Sequence, residues 1–213
     1  MEEKRPKNGR KINFPNILTL IRVLLVPPII VLILIPWGAN AEDPQPVQNV
    51  FNIITASLFL IASLTDLFDG AIARSTNQVT NFGKFLDPIA DKFLVLGTMI
   101  ALAGSERFAG LRLALIISAI IIVLREFTVT SIRMVASRQD GTVISANFPG
   151  KMKTFSSAVC LIVILIEGVI FGAGGLLSIH LLSYIMLAIT VILTVWSGII
   201  YITKYSTYID PLK

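Results

Sequence analysis

Six long apolar stretches constrain this chain more than any other feature of its sequence. They cover approximately residues 16–36, 49–74, 84–104, 111–136, 153–173 and 176–203. About 20 apolar residues are needed to cross a bilayer as a helix, and none of the stretches alternates between polar and apolar residues as membrane barrel strands do. The sequence therefore predicts an all-α integral membrane protein, built as a bundle of six transmembrane helices.

The composition agrees with one membrane domain. Of the 213 residues, 54% are hydrophobic, and the mean hydropathy is +0.80. Since the links are short and no internal repeat is visible, we expect a single domain over residues 1–213, with residues 1–15 as an N-terminal segment. The net charge is +5, and the Lys and Arg residues lie at the ends of the apolar stretches. They form no basic stripe with interleaved aromatic residues, which argues against nucleic acid as a partner.

The distribution of Lys and Arg predicts the orientation. Basic residues cluster in the N-terminal tail, around the second and fourth connections and after the last stretch, whereas the other connections offer only Arg107 and Arg112. Both termini are therefore expected in the cytoplasm, in a bacterial type of plasma membrane. An alternative for the first stretch is a signal peptide, because Ala39-Asn40-Ala41 looks like a cleavage site. The aromatic residues expected at the membrane interfaces are Trp37, Tyr201, Tyr205 and Tyr208.

Four aspartates surround the second connection. The chain reads Asp66-x-x-Asp69-Gly70-x-x-Ala73-Arg74 and, eight residues later, Gly83-x-x-x-Asp87-x-x-x-Asp91. Ionised carboxylates beside hydrocarbon cost at least a few kcal/mol each. Helical spacing places the first set in one arc of the second helix and the second set on one face of the third. We expect these helices to form a hairpin whose carboxylates face each other at the cytoplasmic surface.

The carboxylates predict a site for two divalent cations. Hard oxygen ligands without nearby Cys or His favour Mg²⁺ or Mn²⁺ over zinc, and two such ions can clamp a pyrophosphate. Gly70 and Gly83 allow a nucleotide or a backbone to come close. Pro88 lies either in the first turn of the third helix or inside a helix that begins near Phe82. The alternatives are a buried carboxylate–arginine network and a divalent cation transporter.

A second polar group is basic. Arg125-Glu126-Phe127-x-x-Thr130-x-x-Arg133 interrupts the fourth apolar stretch, and Gly150-Lys151-x-Lys153-Thr154 opens the fifth. Arg125 and Arg133 are eight residues apart and share one side of a helix, which suits a phosphate group on a substrate. Near the N-terminus, the Thr19-x-x-Arg22 spacing can turn toward the same site. The alternatives are anchoring at the interface, an Arg–Glu pair and an interfacial helix cap.

The eight fixed positions between Asp66 and Asp91 match the signature of the CDP-alcohol phosphotransferases, and the chain resembles this family over its whole length. The resemblance implies a six-helix membrane enzyme, typically a homodimer, that transfers a phosphatidyl or similar group from a CDP-linked donor to an alcohol and releases CMP. One metal ion would be held by Asp66, Asp69 and Asp87, and the second by Asp66, Asp87 and Asp91. The residues implied at the CDP-linked donor are Asp66, Asp69, Gly70, Ala73, Arg74 and Gly83. Asp91 resembles the family's general base.

Within the family, the basic residues are most similar to the branch that uses sn-glycerol 3-phosphate as the acceptor. The implied reaction joins CDP-diacylglycerol and sn-glycerol 3-phosphate to give phosphatidylglycerophosphate and CMP. The residues implied at the acceptor are Thr19, Arg125, Arg133, Lys151 and Lys153. A cardiolipin synthase of the same family, with phosphatidylglycerol as its acceptor, is the alternative. A donor with two acyl chains also implies a groove between helices that opens toward lipid.

Overall fold

The computed structural model describes residues 14–76, 81–140, 148–172 and 180–205. Side chains are described throughout these ranges except at residues 14–16, 66–76, 81–82, 84–85, 137–140 and 149. The helices are α1 (Phe14–Leu34), α2 (Pro44–Thr76), α3 (Asn81–Gly104), α4 (Arg112–Asp140), α5 (Phe148–Phe171) and α6 (Leu181–Lys204), with a 3-10 helix at Glu106–Leu111. The described ranges contain no strand, and the prediction of an all-α bundle of six helices is confirmed.

The protein is a membrane protein by the length and apolarity of its helices. Among the described residues, five helices are long and apolar enough to cross a bilayer, and α3 is the helix that falls short. Asp87, Asp91 and Lys92 lie in the first half of α3 and lower its hydropathy. Its 24 residues still extend over about 36 Å at 1.5 Å per residue. That α3 crosses the membrane stays a prediction.

Two helix starts differ from the sequence expectation in ways that affect the site. Helix α5 begins at Phe148, so Lys151 and Lys153, which the sequence placed at or before its start, lie within its first two turns. Helix α3 begins at Asn81, which places Pro88 inside the helix. This is the second of the two alternatives for Pro88. Both helices begin earlier than the apolar stretches because polar residues continue a helix beyond the hydrocarbon region.

The six helices form a closed ring of neighbours. In this ring α1 packs against α2, α2 against α5, α5 against α6, α6 against α4, α4 against α3, and α3 against α1. Gly97 allows the close approach of α3 to α1, because a Cβ at this position would lie 3.3 Å from Cδ1 of Ile30. Small residues serve this purpose in membrane helices, where packing replaces the hydrophobic effect as the main driving force.

Helix α1 separates α2 from α3 over the described part of the bundle. These helices are consecutive in the chain, but among the described residues they have few direct contacts with each other, because α1 packs against both. The hairpin expected around the aspartates stays a prediction, because residues 77–80 and the side chains of residues 66–76 are outside the described residues. Ile29 and Ile33 of α1 are fully buried at the centre of the core, together with Phe59 of α2 and Leu102 of α3.

Two charged side chains cap helix ends at the end of the bundle opposite the aspartates. Arg107 donates to the carbonyl oxygens of Leu32 (2.9 Å) and Ile33 (2.7 Å), which lie at the C-terminal end of α1. The carboxylate of Glu167 in α5 accepts from the backbone N–H groups of Leu182 (2.8 Å) and Ser183 (2.9 Å) at the start of α6. These contacts satisfy backbone groups that a helix end leaves without partners. The helix dipole also favours a positive charge at the C-terminal end of α1 and a negative charge at the N-terminal end of α6.

Candidate active site

The described part of the aspartate cluster lies at the start of α3. Asp87 and Asp91 are one turn apart, with Asp87 exposed and Asp91 half-buried, and Gly83 is buried one turn before Asp87. Asp66 and Asp69 belong to the C-terminal part of α2. Their side chains, and those of Ala73 and Arg74 as well as the surroundings of Gly70, are outside the described residues. Among the side chains that are described, no group of three or more Asp, Glu, His or Cys residues could hold a metal ion.

Helix α1 contributes directly to this region. Thr19 is almost completely buried, and its Oγ1 donates to Oδ1 of Asp87 at 2.6 Å. One turn later, the buried Arg22 donates from Nε to the carbonyl oxygen of Ala62 in α2 at 3.3 Å. Thr19 thus contacts α3 and Arg22 contacts α2, and both residues belong to α1, which lies between these two helices. The sequence predicted Thr19 at the acceptor, whereas the structure places its hydroxyl on a predicted metal ligand.

A cluster of ion pairs joins α4 and α5. Oε1 of Glu126 accepts from Nη1 of Arg125 at 2.9 Å and from Nζ of Lys153 at 2.6 Å. Nε of Arg125 also donates to Oγ of Ser197 in α6 at 3.1 Å. Helical geometry separates neighbouring residues by about 100°, but the long side chains of Arg125 and Glu126 still meet. The Arg–Glu pair that the sequence suggested as an alternative therefore exists, and it includes Lys153.

Tyr201 of α6 connects the two arginines of α4. Its hydroxyl oxygen accepts from Nη2 of Arg133 at 2.7 Å. The guanidinium carbons of Arg125 and Arg133 lie 5.6 Å and 5.2 Å from the centre of its ring. Because Tyr201 is only 1% exposed, it lies inside the bundle, and its interpretation as an interfacial aromatic is wrong.

A sequence signal for Tyr201 does exist in α6. Thr190, Thr194, Ser197 and Tyr201 recur at the spacing of one helix face in an otherwise apolar segment, and all four are buried. A polar stripe on a membrane helix indicates a face turned toward the protein interior. This stripe includes both α6 residues that contact Arg125 and Arg133.

One cavity brings the predicted general base and the basic cluster together. It lies between α3, α4 and α5, and its lining includes Asp91 and Lys92 from α3, Glu126 from α4, and Lys153 and Ser157 from α5. The carboxylate of Asp91 and the buried ammonium group of Lys153 therefore line the same cavity. Such convergence of a few polar groups in a concave site is typical of ligand sites.

The predicted acceptor residues fall into separate groups. Arg125 and Lys153 meet at Glu126, and Arg125 and Arg133 both contact the ring of Tyr201. Lys151 is exposed on the first turn of α5 and is not among the residues that line the cavity. The structure therefore brings together three of the five predicted residues and leaves Thr19 and Lys151 outside this group.

Comparisons with known proteins agree on one family. The family model of CDP-alcohol phosphatidyltransferases matches residues 12–196. A curated protein of Bacillus subtilis named CDP-diacylglycerol–glycerol-3-phosphate 3-phosphatidyltransferase is 38% identical over 198 residues, which cover 90% of this chain and 94% of that protein. A protein of Haemophilus influenzae with the same name is 31% identical, with 90% and 92% covered. A Mycobacterium tuberculosis protein named "Probable phosphatidylglycerophosphate synthase" is 32% identical, with 92% and 83% covered.

Proposed function

Because the chain belongs to the CDP-alcohol phosphatidyltransferase family, we propose that it transfers the phosphatidyl group of CDP-diacylglycerol to sn-glycerol 3-phosphate. The products are phosphatidylglycerophosphate and CMP. The observation that carries this proposal is the cavity that Asp91 shares with Glu126 and Lys153. The names of the bacterial relatives support the same donor and acceptor.

The charge of the basic cluster supports a phosphate monoester as the acceptor. Arg125, Arg133 and Lys153 carry three positive charges and Glu126 one negative charge, so the cluster has two positive charges in excess. A phosphate monoester carries a charge of about −1.5 to −2 at pH 7, whereas the phosphodiester of phosphatidylglycerol carries about one negative charge. The cluster therefore matches glycerol 3-phosphate better than the acceptor of a cardiolipin synthase.

The guanidinium group of Arg133 offers a further donor. Its Nε is buried and has no hydrogen-bond partner among the described residues, while Nη2 is held by Tyr201. A buried donor without an acceptor costs about 1–3 kcal/mol. An oxygen atom of the acceptor's phosphate group would satisfy this donor.

We propose that Asp91 accepts the proton of the attacking hydroxyl group. Its half-buried carboxylate lines the same cavity as Lys153, and the proposal places the acceptor's phosphate group at Lys153 and its glycerol hydroxyl at Asp91. The hydroxyl oxygen forms a bond with the β-phosphorus of CDP-diacylglycerol. The bond between this phosphorus and the bridging oxygen breaks, and CMP leaves.

The family's chemistry generally uses divalent metal ions, and the two described aspartates have the ligand chemistry that such ions prefer. Asp87 and Asp91 present hard oxygen ligands one turn apart, and Thr19 orients Asp87. We propose that Asp66, Asp69, Asp87 and Asp91 hold two Mg²⁺ or Mn²⁺ ions. Bound there, the ions would neutralise the pyrophosphate and the departing CMP.

The proposed donor site includes residues on both sides of the second connection. Gly83 is buried one turn before Asp87, and a residue without a side chain lets a nucleotide approach the backbone. The remaining proposed donor contacts are Gly70, Ala73 and Arg74. A homodimer with both termini and the active site in the cytoplasm stays part of the proposal.

The experiment measures CMP release by the purified protein with CDP-diacylglycerol and Mg²⁺. Glycerol 3-phosphate, phosphatidylglycerol and glycerol are compared as acceptors. We expect release only with glycerol 3-phosphate, and a loss of about 100-fold or more in Asp91→Asn, since a general base contributes about 10²–10⁴-fold. Asp43→Asn, at an exposed position near the start of α2, is the matched control and should keep full activity.

Two outcomes would contradict the proposal. Release only with phosphatidylglycerol would assign the cardiolipin synthase reaction, and the basic cluster would then contact a lipid headgroup. Absence of release with every acceptor would reject transfer to these alcohols and leave cation transport as the alternative for the aspartate cluster.

A further inference from the structure

One buried tyrosine touches both arginines of the basic cluster. We propose that Tyr201 is a positioning residue that holds Arg125 and Arg133 in place for the phosphate group of the acceptor. This inference rests on the proposed function, because it assigns a role to those arginines at the acceptor. Tyr201 itself is not expected to touch the substrate, because it is covered by the two guanidinium groups.

The two arginines need a common support because they lie far apart on α4. Eight residues correspond to a rise of about 12 Å along a helix, yet both guanidinium groups lie within 6 Å of the same ring centre, at 5.6 Å and 5.2 Å. At this distance the negative face of an aromatic ring attracts a cation. The ring of Tyr201 therefore contacts cations from two separate turns of α4, and we infer that it holds both for one phosphate group.

Further contacts fix each guanidinium group in its orientation. The hydroxyl oxygen of Tyr201 accepts from Nη2 of Arg133 at 2.7 Å. Arg125 is held by Ser197, one turn before Tyr201 on α6, and by Glu126. The Nη2 atom of Arg125 lies near the start of α5, since a Cβ built at Gly150 would be 3.8 Å from it.

Burial makes the hydroxyl group of Tyr201 important for this arrangement. Tyr201 is 1% exposed, so water cannot easily replace its hydrogen bond to Arg133. A tyrosine that only filled space between α4 and α6 would need its ring and not its hydroxyl group. The hydroxyl group therefore distinguishes a positioning role from a packing role.

The test compares Tyr201→Phe with Tyr184→Phe in the full-length protein. The first variant keeps the ring beneath both arginines and removes the acceptor of Arg133. The second removes a hydroxyl group from the other end of the same helix, where Tyr184 donates to the carbonyl oxygen of Gly110 at 2.5 Å. Each variant removes a tyrosine hydroxyl group of α6, and only that of Tyr201 is near the proposed site.

We expect Tyr201→Phe to raise the KM for glycerol 3-phosphate about fivefold, as the loss of one hydrogen bond predicts. The KM for CDP-diacylglycerol should follow that of Tyr184→Phe. The Kd of inorganic phosphate, measured by titration calorimetry on the detergent-solubilised protein, should rise by a similar factor. Equal values of KM and Kd in the two variants would overturn the positioning role.

The phosphate titration separates this inference from the proposed function. If the unsubstituted protein releases CMP only with another acceptor, the proposed function fails. A higher Kd of inorganic phosphate in Tyr201→Phe than in Tyr184→Phe would then still support the positioning of the two arginines. An unchanged Kd would reject it, whichever acceptor the protein uses.

Discussion

Replacement of Thr19 by valine tests whether α1 orients the predicted metal ligands. Thr19 is 1% exposed and donates its hydroxyl to Asp87 at 2.6 Å. Valine keeps the branched shape, so the main loss is the hydrogen bond. A hydrogen bond to a charged group contributes about 1.5–3 kcal/mol. Because the carboxylate of Asp87 is exposed, water can replace part of this contribution. We therefore expect the binding free energy of the divalent ion to weaken by about 1.4 kcal/mol, which lowers the affinity for this ion about tenfold.

The assay measures CMP release in two titrations, one with Mg²⁺ and one with glycerol 3-phosphate. For Thr19→Val, the Mg²⁺ concentration at half-maximal rate should rise about tenfold, while the KM for glycerol 3-phosphate stays that of the unsubstituted protein. Thr98→Val is the matched control, because the hydroxyl of Thr98 is buried in α3 and has no hydrogen-bond partner among the described residues. A higher KM for glycerol 3-phosphate with an unchanged Mg²⁺ dependence would refute this reasoning and return Thr19 to the acceptor site.

Two further substitutions test contacts on either side of the bundle. Glu167→Ala should lower the melting temperature, because it removes the acceptor of two backbone N–H groups at the start of α6, and each unsatisfied buried donor costs about 1–3 kcal/mol. Thermal unfolding followed by circular dichroism measures this, with the exposed Glu42→Ala as the control, and equal melting temperatures would contradict the role. Gly198→Ala should raise the KM for glycerol 3-phosphate, because the new Cβ would lie 3.3 Å from Cγ of Arg125. Gly168→Ala, whose Cβ would meet nothing within 4 Å, should leave that KM unchanged, and the same KM in both variants would show that Arg125 tolerates displacement.

The sequence predicted the helices well because each needs a long apolar stretch to face lipid. It predicted their ends less well, since hydropathy reports the thickness of the hydrocarbon and not the length of the helix. Helix α2 begins at Pro44 and not near residue 49, and its first turn contains the polar Gln45. Helix α5 similarly includes Lys151 and Lys153, which the sequence placed at or before its start.

The sequence predicted which site residues share a face of one helix, but it did not predict which residues of different helices are in contact. Periodicity placed Arg125 and Arg133 on one side of α4, and the structure finds both at one ring. The identity of that ring depends on α6 being a neighbour of α4, which no local pattern reveals. In the same way, the contact of Thr19 with Asp87 depends on α1 lying between α2 and α3. The mutual arrangement of all four aspartates stays a prediction, because two of these side chains are outside the described residues.

The position of α6 in the ring has a consequence for biogenesis. Helices emerge from the ribosome in chain order, so Arg125 and Arg133 reach the membrane before α6, which supplies Ser197 and Tyr201. Until α6 docks between α4 and α5, the nascent chain carries cations in α4 that lack these partners, at a cost of about 2.5–3.5 kcal/mol for each one near the bilayer centre. The contacts of these cations are therefore complete only after α6 has docked, and a chain interrupted before Ser197 would lack them.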